Sequence, residues 1–146
     1  MAATAGQIAE AGRIPGERIA TTVETSDSTT FTTAETQVSS VTAPVVSGRI
    51  YRVRFAGGWQ STVADDTVSV RIREDTSSGT QLLLRVVDVF RTGSFTAAPA
   101  LEVEYTADAT EDKVFVLTAQ RLTGSGTINL DAAASGPSYL YVDYIR

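Results

Sequence analysis

The chain has 146 residues, a net charge of −5 and a pI near 4.6, without one cysteine or histidine. That length fits one domain, which at this size buries roughly 70% of the surface its unfolded form exposes. The two missing residue types exclude disulfides, thiolate metal sites, cysteine nucleophiles and any Ser-His-Asp triad, and they remove the commonest metal ligand. The expectation is therefore a protein that is not an enzyme and uses no cofactor. The acidic balance argues against nucleic acid, which calls for a basic stripe. No apolar run approaches the ~20 residues of a membrane span, and Met1–Ile8 lacks the basic region and apolar core of a signal peptide. Lys113 is the only lysine among 12 basic residues. The arginine excess suits bidentate ion pairs, or simply reflects genome composition.

In chain order, residues 1–18 form a short N-terminal arm. Thr4 is placed to cap a helix through Ala11 with Gly12 as its stop, and Pro15-Gly16 makes a turn. A helix of two turns is not stable alone, so the arm is expected to pack on its own domain or on a partner. Ile8, Arg13, Ile14 and Pro15 are its candidates for attachment to a larger particle.

From residue 19 to 146 the pattern is β, with Thr and Val alternating between short turn clusters. Strands are expected at Ile19–Thr25, Thr29–Thr33, Gln37–Pro44, Gly48–Ala56, Thr67–Glu74, Thr80–Phe90, Ala100–Thr106, Lys113–Leu122, Thr127–Leu130 and Ser138–Ile145. Gly57-Gly58, Asp65-Asp66, Ser77-Ser78-Gly79, Thr92-Gly93-Ser94, Ala107-Asp108-Ala109 and Gly124-Ser125-Gly126 supply the turns. Val68, Val70 and Ile72 oppose Ser69, Arg71 and Arg73. Tyr51, Val53 and Phe55 oppose Arg52 and Arg54, and Leu101, Val103 and Tyr105 oppose Glu102 and Glu104. Each such strand has one core face and one polar face. Leu82-Leu83-Leu84 and Val114–Leu117 are apolar on both faces, as expected of strands covered on both sides. The fold class is all-β: a single jelly-roll-like, two-sheet β-sandwich.

The last strand places Leu140, Val142 and Tyr144 on a core face and leaves Tyr139, Tyr141 and Asp143 outside. Tyrosine suits surfaces where one end of the ring is dry and the other wet, so these three are candidates for a homotrimer interface. The alternative is a central strand covered by loops of its own domain.

Several segments resemble small structural proteins of bacteriophages and prophages of actinobacteria, those of head decoration, head fibres or tails. The residues carrying the resemblance are Gly48–Val53, Gln60–Asp66, Val70–Thr76, Phe115–Arg121, Gly124–Gly126 and Pro137–Val142, with Thr29–Thr33 and Val38 upstream. The resemblance implies a virion protein made in the bacterial host cytoplasm. It would display its β-domain on the head or tail, often as a trimer, and an N-terminal arm would fit the particle. The partners implied are the phage major capsid protein or a tail protein, with a host glycan for a receptor-binding tip.

Other constellations have plain structural readings beside the chemical ones. Glu102 and Glu104 lie about 6.5–7 Å apart on one strand face, a carboxylate spacing open to an inverting glycosidase, although alternating acids on a solvated strand are far commoner. Asp108, Glu111 and Asp112 offer oxygens to a Ca²⁺ ion but match no loop signature. Arg52, Arg54, Arg71 and Arg73 form either a stripe facing Glu102 and Glu104 or a solvated face. Lys113 and Asn129 form an isopeptide pair only if the fold brings them together. Trp59 either stacks on a sugar or, more often, closes one end of the core.

Overall fold

The computed structural model describes residues 14–90, 92–93, 96–97, 100–133 and 136–146. The capping helix expected at Thr4–Ala11, and the attachment candidates Ile8 and Arg13, lie outside the described residues.

Among the described residues eleven strands follow one another: β1 (Arg18–Glu24), β2 (Thr36–Val45), β3 (Ile50–Ala56), β4 (Gly58–Ser61), β5 (Asp66–Glu74), β6 (Gln81–Val89), β7 (Thr96–Ala97), β8 (Leu101–Thr106), β9 (Glu111–Thr123), β10 (Ile128–Asp131) and β11 (Ser138–Tyr144). They build two four-stranded antiparallel sheets, in the orders β1-β11-β3-β8 and β2-β9-β5-β6. The chain crosses between sheets at β1 to β2 and again at β2 to β3. The last strand then inserts between β1 and β3. This is the jelly-roll order of two interlocked Greek keys. A third sheet, β10-β4-β7, repeats the order β11-β3-β8 and continues the first sheet past a bend.

Period-2 patterning produced most of these strands because the two inner faces share one core. Val41, Val45, Tyr51, Val53, Phe55, Val68, Val70, Ile72, Leu101, Phe115, Leu117, Leu140 and Val142 are all buried within it. At the bend, Trp59 is fully buried against Phe31 (ring centroids 6.0 Å apart) and Phe55 (5.9 Å), so the tryptophan closes the core.

Four sequence expectations change. Thr29–Thr33 is not a strand: Phe31 alone makes a bridge, to Ile128, because its ring is drawn into the core while the flanking threonines stay in water. Gly57-Gly58 is not a turn between strands but a bend inside one. A Cβ on Gly57 would stand 2.4 Å from Ser138 Oγ, so only glycine lets β3 run on into β4 there. The two-residue β7 was not expected. Leu82–Leu84 is not covered on both faces. Strand β6 is the sheet edge, Leu82 and Leu83 are half-buried, and Leu84 is 37% exposed. By contrast, Val116 on the outer face of β9 is 1% exposed, since β9 has β2 and β5 on either side.

Candidate functional site

The outer face of the β1-β11-β3-β8 sheet holds the candidate interface residues. Register decides what surrounds them. Tyr139 stands between Val23 of β1 and Ala56 of β3, Tyr141 between Thr21 and Arg54, and Asp143 between Arg18 and Arg52. Arg54 and Arg52 in turn face Glu102 and Glu104 of β8. In a pleated sheet directly opposed side chains share a face, so these rows form a lattice of alternating charge.

The lattice is closed by contacts. Arg18 Nε lies 3.3 Å from Asp143 Oδ1 and Arg54 Nη1 lies 3.8 Å from Asp143 Oδ2. Arg52 pairs with Glu104 at 3.3 Å and Arg54 with Glu102 at 3.1 Å. Both guanidinium groups also approach the Tyr141 ring, that of Arg18 at 3.6 Å from its centroid and that of Arg54 at 5.7 Å. The sequence reading left Tyr139, Tyr141 and Asp143 equally open in a single copy. The structure separates them. Asp143 is 8% exposed beneath its arginines and Tyr141 is half-buried. Tyr139 is 36% exposed, and its cross-strand neighbour Val23 is 47% exposed. Val23 was not singled out in the sequence, and only the pairing of β1 with β11 reveals it.

Of the attachment candidates, Ile14 and Pro15 are exposed, and Ile14 is 71% so. They lead into the sheet through Gly16, whose φ of +90° forms the turn expected at Pro15-Gly16. Gly16 N–H donates to Tyr144 O (2.7 Å) and Tyr144 N–H to Glu17 O (2.8 Å). Ordered pairing with β11 therefore begins two residues before Arg18. The chain end at Arg146 is tied to the same place, where Ile50 N–H donates to Arg146 O at 2.7 Å.

The second sheet carries two more charged clusters. Arg71 and Arg73 do not join Arg52 and Arg54. They lie on the other sheet and converge on Glu35, a residue that no pattern in the sequence singles out. Arg73 Nε and Nη2 donate to the two Glu35 oxygens at 2.7 and 3.1 Å, Arg71 Nη1 lies 3.5 Å away, and Thr118 Oγ1 also donates. Burial would raise the Glu35 carboxyl, but the hydrogen bonds from Arg73 and Thr118 and the charges of Arg71 and Arg73 outweigh it and hold it below its ordinary value.

Lys113, 6% exposed, lies 2.9 Å from Asp75, 3.2 Å from Glu74 and 3.4 Å from Glu111. Burial alone would lower its pKa, but hydrogen bonds to Asp75 and Glu74 and the charges of Tyr105 and Glu74 raise it well above the lysine value. Its amine is thus held by acids, while Asn129 lies on β10 paired with Gln60 and donates to Leu130 O. Glu111, a candidate calcium ligand, is one of those acids. Among the described residues no group of three or more acidic side chains is placed to hold a metal.

Asp66, at 0% exposure, accepts hydrogen bonds from Ser61 Oγ (2.5 Å), Ser125 N–H (2.9 Å) and Gly126 N–H (3.1 Å). A Cβ on Gly124 would stand 1.7 Å from Asp66 Oδ1, which explains the glycine in this turn. The carboxylate clamps the β9–β10 turn onto the β4–β5 connection. Asp131 has the opposite character. Burial raises its pKa, and the nearby carboxyl of Asp27 raises it further.

No family model matches the chain and no curated protein matches its sequence. Similar solved structures include CBM4 (TM-score 0.38, 16% identity, over 72% of this chain and 60% of that one). The disulfide-linked pili of Bacillus endospore appendages are another (TM-score 0.42, 13% identity, 91% and 95%). A third is VP2 of infectious bursal disease virus in its subviral particle (TM-score 0.45, 11% identity, 89% and 37%). The chain thus spans less than two thirds of the length of CBM4 and of VP2.

Proposed function

We propose that this chain is a bacteriophage virion structural protein, a capsid decoration or head-fibre domain displayed as a trimer and anchored by its N-terminal arm. Its partner is the phage major capsid protein, its location the virion, and its work mechanical rather than catalytic. The observation that carries this reading is the division of the surface. The apolar Ile14 stands 71% exposed at the end of the sandwich where the arm enters. The Val23–Tyr139 pair is the apolar opening in an outer face otherwise filled by ion pairs. One end then serves attachment and one face serves self-association. Closed threefold symmetry lets the same patch meet itself without leaving an open edge. Glu102 and Glu104 are each neutralised by an arginine, which suits a scaffold better than general acid–base work.

The test is a chain lacking residues 1–16. It should keep its far-UV β signal and lose binding to particles stripped of this protein. Full occupancy by the truncated chain would refute the anchoring role. A tail-fibre or receptor-binding tip that binds host glycan is the second reading. It is favoured by Phe90, 65% exposed where β6 ends, far along the sandwich from Ile50 and Arg146. Counting copies per particle separates the two, since a decoration protein covers the shell and a tail tip occurs in few copies.

A further inference from the structure

The two main sheets have four edges, and three of them are protected. Strands β1 and β2 close on each other: Thr22 Oγ1 donates to Ser40 O at 2.7 Å and Ser39 Oγ to Glu24 Oε1 at 2.7 Å, and β2 also carries Pro44. Strand β8 presents the exposed acids Glu102 and Glu104. Proline, charge and covering contacts are the usual devices against edge-to-edge pairing. Strand β6 is different. Among the described residues it pairs only with β5, it runs for nine residues without proline or lysine, and Leu84 and Val86 are 37% and 49% exposed. Its charges are Arg85 and Asp88. The Arg85 guanidinium donates to the Leu84 carbonyl at 3.0 Å at an exposed position, the kind of bond an incoming amide can replace.

We infer that β6 is a pairing edge and that its occupant is β6 of a second copy, antiparallel and centred on Leu84. A free strand edge is recognised by another strand, through main-chain hydrogen bonds and matching side chains. The sequence of β6 complements itself best in the register that keeps its outward apolar residues opposite one another. With Leu84 opposite Leu84 of the second copy, Leu82 meets Val86 on both sides of the axis and one face becomes a continuous apolar strip. In the same register Arg85 meets Leu83 and not a second Arg85. Shifting the centre to Arg85 would set two guanidinium groups against each other, and centring on Val86 would set Leu84 against Asp88. Like charges directly opposed destabilise a strand pair. The result is an eight-stranded sheet shared by two copies, with the two-fold axis at Leu84. This contact is separate from the Val23–Tyr139 face.

The absence of cysteine makes the test clean. Leu84→Cys should form a covalent dimer under mild oxidation of the purified full chain at tens of micromolar. Asp88→Cys on the same edge and Ser78→Cys in the exposed β5–β6 turn should link far more slowly. The Leu84→Lys/Val86→Lys variant should halve the light-scattering mass of the assembly while keeping its β signal. Tyr139→Asp should leave the Leu84→Cys linkage intact, so this contact is tested apart from the threefold one. Linkage of Leu84→Cys no faster than of Ser78→Cys, or a mass unchanged in the double-lysine variant, would overturn the inference.

Discussion

The guanidinium of Arg18 lies 3.6 Å from the centroid of the Tyr141 ring, and its Nε stands 3.3 Å from Asp143 Oδ1. One side chain of β1 thus covers two consecutive outward residues of β11. Such a cation–π contact contributes ~0.5–1 kcal/mol at an exposed site. It also decides which tyrosine is available to a partner.

Tyr139→Asp and Tyr141→Asp should therefore behave differently. A charge at Tyr139 falls beside Val23 and Ala56, with no cation in its row, and should dissolve the proposed threefold contact. A charge at Tyr141 falls between Arg18 and Arg54 and is compensated within its own copy. Light-scattering mass should drop threefold for the first and stay unchanged for the second. The reverse order would remove Tyr139 from the interface.

Glu35 sets the acid side of stability. Its folded pKa lies below the ordinary 4.5, so its contribution is complete above that value and is lost as pH falls through the folded one. Glu35→Gln should cost about 2 kcal/mol at neutral pH, because the two arginines keep their charge and lose the carboxylate that balances it. Denaturant unfolding should show the gap between wild type and variant closing as the pH falls below 4.5. A constant gap would mean that the carboxylate charge contributes nothing.

Lys113 acts on the alkaline side. Its folded pKa is raised, so its contribution is full below the ordinary lysine value of 10.5 and is lost as pH rises beyond it. Tyr105, raised from 10.0 chiefly by burial, moves stability in the same direction. Lys113→Met should cost about 2–3 kcal/mol at neutral pH by leaving Glu74, Asp75 and Glu111 uncompensated, with water around the more exposed acids limiting the loss. The difference in unfolding free energy should shrink above pH 10.5.

Asp131→Asn should stabilise the protein. A carboxyl whose folded pKa is raised above 3.8 contributes stability only at acid pH and opposes folding once both it and Asp27 are charged. The substitution should gain of the order of 1 kcal/mol at neutral pH, visible as a rise in Tm, and nothing near pH 3. A fall in Tm at neutral pH would show that the Asp131 carboxylate has a partner it needs.

The all-β class and most strands were legible in the sequence because the side-chain period of a strand is two and most strands have one polar face. In Val68-Ser69-Val70-Arg71-Ile72-Arg73 only Val68, Val70 and Ile72 form an apolar set, and the structure buries that set against the core, although Ser69 on the other face is buried as well. Chemistry by histidine or cysteine was excluded by composition alone. Order within the sheets was not legible, because pairing partners lie far apart in the chain and any strand of the right period fits beside any other. The insertion of β11 between β1 and β3 brought Arg18, Arg54 and Asp143 together. Pairing of β9 with β5 on one side and β2 on the other did the same for Arg71, Thr118 and Glu35. A run such as Leu82-Leu83-Leu84 reads alike in the centre of a sheet and at its edge. Local sequence determines which face of a strand is apolar, but how many neighbours that strand acquires is set only by the closing of the two sheets upon each other.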